Sequence, residues 1–300
     1  MPNFDVFLPG LEWASAGFGP DKIDGKPAFE VAHRRRPADR DLVANGNLGQ
    51  VIECTERVRP SAAAPLFVSY YTAGTPYEAL AMQLKRSLDR FGLEHRIEPI
   101  QSLGSWVANT GLKASFIERA WAESERPICW VDADAELLRA PHFLYDNPFD
   151  FAVVRRHGWY FISSVVYLGK SSAVGRFVAR WAQLCRQHPN IWDQVLLTLA
   201  WHEIVREEAF ASLFLPDGIF RFPRPYVRDL RDRLFYYPLG LKMRPFFDQK
   251  QASRAHKRFM DAGARRENEL GSDDLSQMAM KALATYDFDT ALSIDNFFRA

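Results

Sequence analysis

The feature that most restricts the fold of this 300-residue chain is the rhythm of its segments between residues 66 and 134. Leu66-Phe67-Val68-Ser69-Tyr70-Tyr71 is rich in β-formers and reads as a strand. A turn, Thr72-Ala73-Gly74-Thr75-Pro76, leads into a helix with Thr75 as N-cap and Pro76 at the first position. Its apolar stripe is Tyr77, Leu80, Ala81, Leu84, Leu88 and Phe91, at helical spacing, and Gly92 ends it. A second strand spans His95 to Ile100. Strand, helix and strand in this order predict the βαβ unit of a parallel sheet. The fold class expected is therefore α/β, with a mainly parallel sheet flanked by helices.

The chain next predicts a helix over residues 105–121, with Phe116, Ile117, Ala120 and Trp121 on one face. Ile128-Cys129-Trp130-Val131 follows Pro127 as a short apolar run, the mark of a buried strand. The run stops at Asp132 and Asp134. Ligands gather at the carboxyl ends of strands in open α/β sheets. If the backbone stays extended, both carboxylates point the same way. Such a pair suits Mg²⁺ or Mn²⁺, hard cations often shared with substrate phosphates. Aspartates after a strand are also ordinary loop and cap residues.

Further strands are expected at Phe151 to Val154 and at Phe161 to Leu168, the latter carrying Ser163 and Ser164. Ala173 to Gln187 has an amphipathic helical pattern. Asp193-Gln194 opens another helix, where an aspartate also favours the helix dipole. Residues 213 to 250, rich in Pro, Arg and aromatics, show little periodicity. Residues 1–64 read as an N-terminal extension punctuated by Gly and Pro, 65–255 as the main domain, and 256–300 as a basic, partly helical tail.

Composition excludes several classes. Net charge is +1 with both signs abundant, so no global polyanion-binding field arises. The clusters at Arg34 to Arg36 and from Arg254 to Arg266 read as solvated surface, or as patches for an anionic acceptor. Cys54, Cys129 and Cys185 match neither a disulfide framework nor a zinc site, which points to a reducing, cytoplasmic compartment. Met1 to Gly10 lacks the pattern of a signal peptide. No run approaches the ~20 apolar residues of a membrane span.

Taken together, Tyr70-Tyr71-Thr72, the segment Trp106…Asn109…Lys113…Phe116-Ile117, the Val131-Asp132-Ala133-Asp134 strand end and Asp193-Gln194 resemble a nucleotide-sugar-dependent glycosyltransferase of the GT-A fold with a DxD motif. The resemblance covers about residues 65–255. It implies that Asp132 and Asp134 hold Mn²⁺ or Mg²⁺ against the diphosphate of a nucleotide-sugar donor. It implies that Tyr70, Tyr71 and Thr72 bind the nucleoside, with Trp106, Asn109 and Lys113 near the donor. Asp193 or Gln194 would lie near the anomeric carbon or the acceptor hydroxyl, with Asp193 the candidate general base.

The chain departs from that family in two places. No histidine occupies Phe246 to Arg254, where a further metal ligand is expected, which leaves Asp248 or the nearby His256. Ser163-Ser164 stands where a glycine often faces the donor. Each nominee also has a structural reading: Tyr70 and Tyr71 as strand packing, Trp106 as core, Lys113 as a surface helix residue. The acceptor is open between glycan, lipid-linked sugar, protein and modified nucleic acid. A nucleotidyltransferase acting on sugar phosphates, or a non-catalytic binding module, are the competing functions; the turn at residues 72–76 lacks the basic residues of a nucleotidyltransferase phosphate loop.

Overall fold

A computed structural model describes residues 19–23, 26–30 and 63–252, with breaks at 104–105, 146, 148, 157–159, 208–209, 211, 216 and 240–243. The rest of the proposed N-terminal extension and the tail, including His256 and the Arg34–Arg36 and Arg254–Arg266 clusters, lie outside the described residues. Gly19–Ile23 (β1) and Lys26–Glu30 (β2) form an antiparallel pair.

The main domain alternates as its periodicity predicts. Strand β3 (Leu66–Thr72) leads to helix α1 (Pro76–Arg90), β4 (His95–Ile100), α2 (Trp106–Glu123) and β5 (Ile128–Val131). Thr75 caps α1 by accepting the Tyr77 N–H, with Pro76 in the first turn. Gly92, at φ +64°, turns the chain out of the helix in the left-handed region that suits glycine. Then come β6 (Ala135–Leu137), β7 (Phe151–Arg156), β8 (Tyr160–Leu168), α3 (Ser172–Gln187) and α4 (Asp193–Glu207). The last elements are β9 (Ser212–Leu215), β10 (Phe220–Arg221), α5 (Tyr226–Arg231) and β11 (Phe247–Gln249).

Six strands make one sheet in the order β4-β3-β5-β8-β7-β9. Strand β8 runs against β5 and β7, and the other pairings are parallel. The sheet is thus mixed and mainly parallel, as expected. Alternation along each strand separates two cores. Val68, Tyr70, Ile128 and Trp130 face α2, α3 and α4, with Phe116, Ile117, Phe177, Trp181 and Leu196 among the residues packed there. Phe67, Cys129 and Val131 face the other way, against Leu84 and Leu88 of α1. On that second face sits a smaller sheet, β10-β11-β6. The Ser87 hydroxyl of α1 accepts the Leu137 N–H and so ties α1 to β6.

This topology locates a crevice before any side chain is considered. From β3 the chain passes through α1 on one face to β4 on one side. From β4 it returns through α2 on the opposite face to β5 on the other side of β3. Strand order reverses between β3 and β5. In open α/β sheets a ligand crevice lies at such a reversal, outside the carboxyl ends of the strands. Thr72 and Asp132 stand at those two ends.

The backbone does not stay extended through Asp132 and Asp134. Residues 132–134 form a tight turn in which the Asp132 carbonyl accepts the Ala135 N–H at 2.9 Å. The turn carries the chain from the large sheet into the small one, which β6 enters directly. Residues 213–250 also hold more regular structure than their composition suggests. Three short strands and a helix lie there, each too brief for a period to show in the sequence.

Candidate active site

Lys113 is the centre of the polar cluster at the crevice. It lies on α2 one turn before Phe116 and Ile117, on the face that packs against the sheet, and is only 5% exposed. Burial of an ammonium is costly unless it is paired. Its Nζ lies 3.0 Å from Asp132 Oδ1 and 3.0 Å from Asp193 Oδ2, donates to Ser163 Oγ at 3.0 Å, and sits 5.3 Å from the centre of the Trp130 ring. Burial alone would lower its pKa. The two carboxylates outweigh that and hold it above the ordinary lysine value, so Lys113 is a fixed positive charge.

Asp132 follows the last residue of β5. Its N–H donates to the Ser164 carbonyl of β8 at 2.9 Å, and its Oδ1 accepts the Trp130 indole N–H at 2.8 Å. Lys113 and Trp130 therefore both grip Oδ1, and Oδ2 takes no hydrogen bond among the described residues. Asp134 is held from the other side. Its carbonyl accepts the Lys250 N–H at 3.0 Å, and its Oδ2 accepts the Ala252 N–H at 2.8 Å. Burial, and then the charge of Asp132, push the Asp134 carboxyl up to about 6.

Asp193 opens α4, but its carboxylate turns to Lys113 and to the Ser163 hydroxyl, 2.9 Å away. Its carbonyl accepts the Trp181 indole N–H at 2.9 Å. At 4% exposure this carboxylate is not presented to an incoming hydroxyl, which departs from its expected place as a general base. Gln194 is half-buried beside it. Ser163 and Ser164 lie where β8 bulges: Val153 pairs with Val166 and Val154 with Ile162, so residues 163–165 have no partner on β7. Bulges re-aim side chains beside sites. Here the bulge turns the Ser163 hydroxyl to Lys113 and Asp193 while Ser164 holds Asp132.

Other expected site residues are distributed differently. The Tyr70 ring is 9% exposed and packs against Phe116 and Trp130, with centroids 5.4 and 5.1 Å away, and its hydroxyl donates to the Asn109 carbonyl at 2.6 Å. It offers no free face to a base; it braces Trp130. Tyr71 is half-buried and alternates to the other face. Thr72 is buried, and its carbonyl accepts the Thr75 hydroxyl at 2.7 Å. The Asn109 side chain accepts the Leu103 N–H and donates to the Ser102 hydroxyl, fixing the loop before α2. Trp106 is the first residue of α2; its side chain lies outside the described residues.

Asp248 is corrected as a third metal ligand. Its two oxygens accept from Arg221 at 3.0 and 2.7 Å, and Lys250 donates to it as well. Burial would raise its pKa, but these two cations overcome that and hold it below the ordinary carboxylate value. Among the described residues no group of three or more His, Cys, Asp or Glu side chains is arranged to hold an ion.

The remaining donor set fits a divalent cation shared with a substrate. Asp132, Asp134 and Asp193 against Lys113 leave two negative charges when all are ionised. Burial first, and then the Asp132 charge, raise the Asp134 pKa. Two carboxylates without a full protein cage suit Mg²⁺ or Mn²⁺, which keep waters and substrate phosphates as their other ligands. Trp130 and the Ala252 N–H were not among the residues nominated from sequence. Trp130 was legible, since an indole two residues before an aspartate at a strand end can reach it. Nothing in the sequence marks the Ala252 amide, which arrives from more than a hundred residues away.

No protein-family model matches the sequence, and no curated protein does. Among solved structures, the chain is similar to a glycosyltransferase involved in glycosylation of the major capsid of PBCV-1, at 12% identity over 71% of this chain and 100% of that one, with a TM-score of 0.45. It is similar to the apo-form glycosyltransferase GlyE of Streptococcus pneumoniae, at 14% identity over 63% of this chain and 55% of that one, with a TM-score of 0.41. Mouse xyloside xylosyltransferase 1 is similar at 10% identity over 64% of this chain and 99% of that one, with a TM-score of 0.36. Likeness at this distance carries no argument about chemistry; the fold stands on its own strand order.

Proposed function

We propose that this chain is a glycosyltransferase that moves a sugar from a nucleotide-diphosphate donor to an acceptor hydroxyl, with Mn²⁺ or Mg²⁺ held by Asp132 and Asp134. The observation that supports it is the placement of these two carboxylates at the β3/β5 reversal, each with one oxygen pinned by the protein. Pinning one oxygen orients the other, as partners outside a metal's own ligands do. When bound, the cation supplies Lewis-acid neutralisation of the charge that develops on the departing nucleoside diphosphate.

The chain's own residues have these parts. Trp130 and Lys113 fix Asp132, and the Ala252 amide fixes Asp134. Lys113 is too buried to touch the donor; its charge stabilises negative charge across the crevice in a poorly solvated setting. Asp193 and Ser163 hold Lys113 in place. Tyr71, half-buried at the end of β3, is assigned to the nucleoside, and Gln194, half-buried beside Asp193, to the acceptor.

The test is donor hydrolysis with a panel of UDP-, GDP- and other nucleotide sugars, with and without chelator. The expected result is release of nucleoside diphosphate that needs Mn²⁺ or Mg²⁺ and falls about a hundredfold or more in Asp132→Asn and Asp134→Asn. Release of pyrophosphate from a nucleoside triphosphate and a sugar phosphate, with no action on nucleotide sugars, would assign a nucleotidyltransferase instead.

A further inference from the structure

Helix α5 and the π-helical turn that continues it, Asp232–Tyr236, carry an apolar surface that no part of the described domain covers. Tyr226, Val227, Leu230, Leu234, Phe235 and Leu239 are all exposed, from 41% at Leu230 to 77% at Val227. Tyr226, Val227, Leu230 and Leu234 fall at i, i+1, i+4 and i+8, which is one helix face. A contiguous exposed apolar face of this kind marks an interaction site.

The charges around it are sorted by sign. Arg228, Arg231 and Arg233 are exposed. Both acidic residues of the segment are paired with arginines. Asp232 is fully buried, 2.6 Å from Arg224 and 3.6 Å from Arg231, and half-buried Asp229 lies 2.9 Å from both Arg224 and Arg233. Arg224 also donates to the Tyr237 hydroxyl, which closes the base of the helix. The outward surface is therefore aliphatic and aromatic at its centre, and four arginines against two aspartates leave a net positive charge at its margins. Nucleic acid would favour the arginines but not a centre of Val and Leu side chains.

We infer that this segment, residues 226–239, docks the protein on an anionic lipid surface, with its apolar face in the interfacial layer and its arginines among the headgroups. The strand that leads into it lies beside the strand that ends at the candidate site. Strand β10, which leads into α5, runs parallel to β11, and β11 ends where Lys250 and Ala252 meet Asp134. Docking would bring the crevice against the membrane plane. The inference does not depend on which reaction the crevice performs.

The test is flotation of the full chain with vesicles of phosphatidylcholine alone and with phosphatidylglycerol added. The expected result is association with the anionic vesicles that weakens with salt. Leu234→Asp should lower the partition about tenfold, and Arg228→Gln about fivefold. Since both side chains are exposed, the melting temperature should stay unchanged. Three results would overturn the inference: no association of the wild-type chain with anionic vesicles, equal association of the variants, or a shift of Leu234→Asp from dimer to monomer in light scattering. The last would assign the face to a second copy of the chain.

Discussion

Replacing Lys113 by methionine isolates the buried charge cluster. Methionine keeps most of the side-chain volume, so packing against Phe116 and Trp130 survives while the charge is lost. Asp193, 4% exposed, then keeps only the Ser163 hydroxyl as a side-chain partner. Removing one member of a buried ion pair costs about 3–5 kcal/mol, because the other is left uncompensated. For a domain of this size that is roughly 6–20 °C in melting temperature. Adding Asp193→Asn removes the bare charge and should restore about 1–3 kcal/mol. Urea unfolding of wild type, both single variants and the double variant measures each quantity. A loss under about 1 kcal/mol, or one unrelieved by Asp193→Asn, would refute the view of Lys113 as a clamp.

Two further outcomes follow from the same electrostatics. The Asp134 pKa, raised from 3.8 to about 6, means that its ionisation opposes folding: stability is full at low pH and falls as pH rises through about 6. Asp134→Asn in metal-free protein should therefore leave stability unchanged at about pH 4 and raise it above pH 6, by at most about 3 kcal/mol, in unfolding curves taken across that range. Asp248→Asn should weaken the Arg221 pair and lower stability, yet leave Mn²⁺ affinity within about twofold, since Asp248 is committed to Arg221 and Lys250. A Mn²⁺ titration of that variant checks it.

The alternating elements from Leu66 to Glu207 were legible because each carries its period over enough residues: the α1 stripe, the β5 run of four apolar residues, the α3 face from Val174 to Leu184. The strand end at Asp132 was legible for the same reason. The turn through Ala133 was not, because its geometry is set by pairing of β6 with β11, more than a hundred residues on. Lys113 offered a signal that spacing reveals: a lysine on the face shared by Phe116 and Ile117 must be buried and must have a counter-charge. Which carboxylates answer it depends on the β8 bulge and the start of α4. Asp248 looked available because Arg221, its partner on the neighbouring strand, lies far off in sequence. The exposed face of α5 was hidden by its shortness and by Pro225 before it.

The central claim is that the crevice at the β3/β5 reversal takes a divalent cation together with a nucleoside diphosphate. Calorimetric titration of Mn²⁺ into the protein, with and without UDP or GDP, tests it directly. One ion per chain is expected, bound more tightly when the matching diphosphate is present, and at least about tenfold more weakly in Asp132→Asn and in Asp134→Asn. Binding that is indifferent to both aspartates, or to every nucleotide tried, would contradict it.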